Sequence, residues 1–235
     1  MTAAAASSSS SASASSASAT TASTRDDEYY FQDIIFLVEG RLFKVPKHMF
    51  IQESQLFRTM LSLPVPNGTP ADGSSDDHPL KLDGVKAADF THILRCLYPM
   101  RQFSAPTKGP GRYIKKLEEW LAIFRLAAMW DMEAVRAKAV SELTPLLTNK
   151  PALQVSLAVE HQVTEWLVPG LNKLVQREDP IDREDINMIG LDFALKVMTL
   201  REDCAAMHSN SRTLRRGAIS VDVSDEIRTR FKIRE

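Results

Sequence analysis

The stretch "DIIFLVEGRLFKVP", residues 33 to 46, limits the fold more than any other part of the chain. Its first half is β-branched and aromatic, the composition of a pleated strand. In its second half Leu42 and Lys44 fall on one face and Phe43 and Val45 on the other, the alternation of a strand covered on one side. Glu39-Gly40 between the runs suits a tight hairpin turn. Pro46 ends the second strand because it has no N–H to donate.

From Lys47 the period changes to that of helices. Ser54 is a plausible N-cap for "QLFRTML", which places Leu56, Phe57, Met60 and Leu61 on one face. "SLPVPNGTPADGSSDDHP" is rich in breakers and reads as a loop. "LKLDG" alternates over a short span and reads as a third strand. "VKAADFTHILRCLYP" carries Phe90, Ile93, Leu94, Leu97 and Tyr98 at i, i+3, i+4, i+7 and i+8, a helix stopped by Pro99. "MRQFSAPTKGPGRY" is a second, basic loop. Helices then follow at "KKLEEWLAIFRLAAMW" and "DMEAVRAKAVSELTPLL", with Asp131 as the expected N-cap between them, and at "KPALQVSLAVEH" and "VTEWLVPGLNKLVQRE", with Thr164 as the expected N-cap. "DREDINMIGLDFALKVMTLRE" repeats the helical pattern through Ile186, Ile189, Phe193, Val197 and Met198. Trp120, Trp130 and Trp166 read as packing anchors. A short sheet packed by helices is an α+β arrangement.

Both ends differ in composition. Residues 2 to 24 contain only Ala, Ser and Thr. Such a segment has neither the basic start nor the Leu-rich run of a secretory signal, and it reads as a disordered tail with no core to bury. From residue 206 the chain is richer in base than in acid. A short strand at "AISVDV" and a terminal amphipathic turn fit that stretch, so partial order is compatible with it. Its arginines lack the interleaved aromatics of a nucleic-acid patch and read as solvated surface.

The net charge of −1 offers no global case for nucleic acid or a membrane surface as partner. No run of 18 apolar residues is present. Cys96 and Cys204 are too far apart in sequence to suggest a disulfide framework or a zinc site. Cys96 on an apolar helical face reads as a buried thiol. A reducing intracellular setting, cytoplasmic or nuclear, fits. The motifs of phosphate-binding loops, dinucleotide folds, serine hydrolases and zinc proteases are missing. His48, His78, His92, His161 and His208 do not stand at metal-ligand spacing. The acids of "DREDI" lack the glycine and spacing of a calcium loop and read as helix-start charge. The expectation is a protein without catalytic site, metal or cofactor that works by contact with other proteins.

The order and spacing of these segments resemble the BTB/POZ domain. Asp33, Phe43 and Lys47 fall on that family's Asp, hairpin aromatic and helix-starting basic residue without a gap. "SQLFRTMLSLP", "HPLKLDGVKAADFTHILRCLYP" and "EEWLAIFRLAAMWDMEAVRAKAVSEL" are similar to the helix, strand–helix and closing helix pair that follow. "EWLVPGLNKLV" and "IGLDFALKVMTLRE" resemble the helical extension of the family's fungal members. The resemblance implies a BTB/POZ fold at 26–147 after the tail of 1–25, an all-α extension at 148–205 and a basic C-terminal tail at 206–235. Three departures stand out. Pro46 occupies a position where the family often has His, the loop of 99–114 is longer than in many animal members, and no hydrophobic-x-acid motif of the cullin-binding type follows "TMLSLP".

The resemblance implies a module that self-associates and recruits other proteins. In many members the recruited partner is a cullin, which makes them substrate adaptors of a ubiquitin ligase; others anchor transcriptional corepressors. No zinc finger accompanies the domain here, which argues against direct DNA reading. The resemblance makes Asp33 and Lys47 candidates for the charged pocket associated with the family dimer; an ordinary ion pair at that corner is the competing reading. It makes Phe57, Met60 and Leu63 candidates for the apolar end of a partner groove. For Phe57 and Met60 a place in the core competes, while Leu63, just before a loop, is the better exposed contact.

Overall fold

In the computed structural model residues 24–64, 70–99, 114, 116–209 and 222–233 are described. The Ala/Ser/Thr tail up to Ser23, the middle of the first loop, nearly all of the second loop and the "AISV" half of the expected C-terminal strand lie outside them.

The hairpin forms as its residues dictate. Strand β1 (Asp33–Val38) pairs antiparallel with β2 (Arg41–Pro46). Glu39 and Gly40 turn the chain with φ of +45° and +74°, the left-handed pair of a two-residue hairpin whose twist matches its strands. Two short helices follow, α1 (His48–Glu53) and α2 (Gln55–Leu61). The third strand, β3 (Leu80–Lys81), is only two residues long and lies parallel to β1, giving the order β2-β1-β3. The central strand is covered on both faces, so Ile34, Ile35, Phe36 and Val38 are all buried and it reads as an apolar run instead of an alternation.

Helices α3 (Ala87–Leu97), α4 (Leu117–Met129) and α5 (Glu133–Leu147) pack on this sheet. At the centre is an aromatic cluster. Phe36 lies 4.8 Å from Phe50 and 5.2 Å from Phe90, ring centre to ring centre, and Phe57 lies 5.5 Å from Trp130. Tilted and edge-on rings at these distances add to the gain from burial.

The chain continues in α6 (Pro151–Glu160), α7 (Thr164–Gln176), α8 (Arg183–Ile189) and α9 (Leu191–Ser209). A last helix, α10 (Ser224–Phe231), returns onto α7 and α9. The α6–α7 pair is shared between two cores. Leu157, Ala158, Val163 and Trp166 belong to the core of the sheet and α3–α5. Ala152, Val155, Leu171, Leu174 and Val175 belong to a second core with α8, α9 and α10. All three tryptophans are buried in the first.

Several local expectations are corrected. Asp131 is not an N-cap; it sits at φ +54° and Met132 takes that position without a side-chain cap. Thr164 is the first residue of α7 and Val163 precedes it as N-cap. The stretch 182–202 falls in two helices, because Gly190 adopts φ +83° and breaks the ladder where a side chain would be strained. Asp222 and Val223 precede α10 and form no strand. α9 runs past residue 205 to Ser209.

Candidate interaction surfaces

The N-terminal arm lies along α1. Lys47 N–H donates to the Gln32 carbonyl at 2.7 Å, and the Phe31 ring stacks on His48 at 4.6 Å. His48 in turn meets the edge of Tyr98. The Tyr98 hydroxyl donates to the Pro46 carbonyl, and burial pushes its pKa up. These contacts hold the arm in place while Tyr29, Tyr30 and Phe31 remain largely exposed. Three consecutive exposed aromatics are an uncommon use of solvent-facing surface. Beside them an open cleft of about 400 Å³ is lined by Asp27, Glu28, Tyr30, Lys47, Gln52 and Arg58.

The two charged candidates do not pair with each other. Asp33 faces Lys44 at 3.6 Å, with both side chains exposed, and Lys47 lines the cleft beside Asp27 and Glu28. The hairpin register explains this. Lys44 stands opposite Ile35, which puts it diagonal to Asp33 on the same face of the ladder. Lys47 lies beyond Pro46, at the entry to α1.

The apolar candidates separate as well. Phe57 is 2% exposed and points into the aromatic cluster, so it supports the surface from beneath and cannot line a groove. Met60 is half-buried against the core, while Leu63 is 63% exposed. Leu56, expected inside, is exposed. Leu56 and Met60 stand at i and i+4 on α2, and Leu63 follows just past the end of that helix. Ser54, which is fully buried, fixes the helix orientation: its Oγ accepts from Phe57 N–H at 3.2 Å and donates to the Trp130 carbonyl at 2.5 Å.

A second and larger cleft, about 830 Å³, opens between α5 and the α6–α7 corner, lined in part by Glu133, Arg136, Ser141, Thr144 and Glu165. Arg136 donates to the His161 carbonyl at 2.7 Å and Trp166 Nε1 to Thr144 Oγ1 at 2.8 Å. Sequence reasoning did not find this cleft, because no motif marks a concavity formed by two helices and the turn before the second.

Burial raises the pKa of both Cys96 and Cys204, which keeps them as weakly reactive thiols. The acids of "DREDI" do helix-start work. Asp182 Oδ1 accepts from Asp185 N–H at 2.8 Å and Asp185 Oδ2 from Asp182 N–H at 3.0 Å. Burial alone would raise the Asp185 pKa. The Arg177 guanidinium and the Asp182 N–H outweigh it and hold the carboxyl below its ordinary range. Among the described residues no group of three or more potential ligands could hold a metal ion, and no helix is long and apolar enough to cross a membrane.

A family model of the BTB/POZ domain matches residues 23–145. The chain belongs to the BTB/POZ family. Comparison with curated proteins gave no match. BTB/POZ domains are protein–protein interaction modules, and the family is non-enzymatic. The match covers the arm, the sheet and α1–α4, and ends inside α5 at Pro145. The BTB/POZ fold here is α+β, a small three-stranded sheet packed by helices, followed by all-α structure.

Proposed function

We propose that this BTB/POZ protein is a self-associating scaffold, with the N-terminal arm and α1 forming its contact between copies. The observation that carries the reading is the run Tyr29, Tyr30 and Phe31, held against α1 yet exposed to solvent. Burying such side chains in a second copy removes a large apolar area from water. The mixed charge of the neighbouring cleft, lined by Asp27 and Glu28 as well as Lys47 and Arg58, suits an isologous contact in which each copy supplies both signs. Asp33 then acts beside this contact through its pair with Lys44. Residues 26–147 form the interaction domain and 148–205 an extension similar to that of fungal members, which presents a further partner.

The second reading is a cullin-recruiting adaptor, favoured by the exposed Leu56 on α2 and the exposed Leu63 just past its end, with half-buried Met60 between them in sequence. Light-scattering chromatography of the full chain, alone and mixed with a cullin N-terminal domain, tests both readings. Self-association predicts twice the chain mass, reduced to the monomer by Tyr30→Ser with Phe31→Ser. A folded wild-type monomer at high concentration overturns it. Co-elution with the cullin domain, lost on Leu63→Glu, supports the adaptor. Without co-elution, a scaffold of the corepressor-anchoring kind is the remaining role.

A further inference from the structure

The α9 helix turns an apolar line away from its own core. Its inner positions Ala194, Val197, Leu200 and Cys204 are buried. On the opposite side Leu191 is 59%, Leu195 51% and Met198 42% exposed. These three follow i, i+4, i+7 and therefore form one stripe. Scattered surface leucines are ordinary, but a continuous apolar line marks a contact. Met188, just before the turn at Gly190, is also exposed.

Among the described residues of α9, the charges that lie along the stripe are acidic. Asp192 flanks it and Glu202 continues its line one turn beyond Met198, both exposed. The two basic residues of α9 are directed elsewhere. Lys196 lies over the Phe231 ring of α10 at 5.3 Å, and Arg201 reaches the Leu174 and Glu178 carbonyls at 2.7 and 3.4 Å. A second copy of the helix would bring the same acids with no base to meet them, and an anionic membrane would be repelled.

We infer that the outer face of α9 is a docking site for an amphipathic helix of another protein, one with basic residues flanking its apolar stripe. The apolar line supplies the helix-in-groove anchors, and Asp192 and Glu202 select the partner's charge.

The test uses the full-length protein and two labelled synthetic helical peptides. Both carry leucines at i, i+4 and i+7; one is flanked by lysines and the other by glutamates. Fluorescence anisotropy should show binding of the lysine peptide in preference to its twin. Leu195→Glu should weaken that binding by about tenfold or more without changing the melting temperature. Asp192→Lys with Glu202→Lys should reverse the preference between the peptides. Equal binding of both peptides, no binding of either, or a response indifferent to Leu195→Glu overturns the inference. A change in oligomeric mass on Leu195→Glu would assign the face to a second copy instead, and flotation with phosphatidylcholine vesicles, lost on the same change, would assign it to lipid. Peptide binding does not depend on the N-terminal arm, so failure here is distinct from failure of the self-association test.

Discussion

Glu39, at the tip of the β1–β2 hairpin, caps a helix 48 residues further along the chain: its carboxylate accepts the Ala87 N–H at 2.8 Å. Helix α3 has Lys86 at its own N-cap position, which offers no side-chain cap. The hairpin turn therefore supplies the acceptor that the first turn of α3 lacks, and brings a negative charge to the positive end of its dipole. Glu39→Ala should cost about 0.5–2 kcal/mol, with Glu39→Gln retaining part of that. Alanine meets the same left-handed backbone as glutamate, so urea unfolding of the pair isolates the cap. Equal stability of Glu39→Ala and wild type would show that the cap contributes nothing.

Ser54 joins α2 to the end of α4 from a fully buried position. Ser54→Ala leaves both the Phe57 N–H and the Trp130 carbonyl without that partner. The expected loss is about 1–3 kcal/mol, read as a lower melting temperature. Ser62→Ala, at an exposed hydroxyl at the other end of α2, should change stability by no more than about 0.5 kcal/mol.

Gly170 lets α6 and α7 approach closely. A Cβ there would lie 2.8 Å from Val155 Cγ2 and 3.4 Å from the Pro151 carbonyl oxygen. Val155 is fully buried and has little room to yield. Overpacking should cost about 1–3 kcal/mol, more than the roughly 1 kcal/mol that alanine gains in helix propensity. Gly170→Ala should thus destabilise, and adding Val155→Ala should recover part of the loss. Strict additivity of the two changes in denaturant melts would refute the contact.

His161 lies edge-on to Phe124. Burial lowers its pKa below the ordinary 6.5, and Arg125 and Arg136 lower it further against the opposing pull of Glu160. The unfolded chain therefore takes up the proton first as pH falls. Stability associated with this residue is intact above pH 6.5 and declines as pH drops through 6.5 towards the lower folded value. Unfolding midpoints between neutral pH and pH 5 should fall less steeply for His161→Gln than for wild type. Parallel curves would remove His161 from the pH response.

The parts legible in the sequence were those decided by neighbours along the chain. The hairpin, its Glu39-Gly40 turn, the Ser54 cap and the helix-start role of Asp182 each depend on a few consecutive residues. Where the pattern admitted two local solutions, it misled. Asp131 and Thr164 have cap-forming side chains, yet the N-cap positions, Met132 and Val163, fall one residue away from them. The break at Gly190 was hidden because the apolar spacing continues across it. The pairing of Asp33 with Lys44 was within reach, since a two-residue turn sets the register of the whole hairpin.

The sequence by itself determined that a short sheet would be covered by helices, that this order resembles an interaction domain, and that α2 and the stretch 182–202 would be amphipathic. Only the tertiary structure decided which way those helices face. In α2 the apolar residues 56, 57, 60 and 61 satisfy the helical period whichever of them points inward. The choice came from Phe57 fitting among Phe36, Phe50 and Trp130, which turned Leu56 to solvent. In α9 the core of α7, α8 and α10 took Ala194, Val197 and Leu200 and left Leu191, Leu195 and Met198 outside. Periodicity specifies that a helix has an apolar side; the rotation of that helix is set by the volumes of residues distant in sequence, which no local pattern encodes.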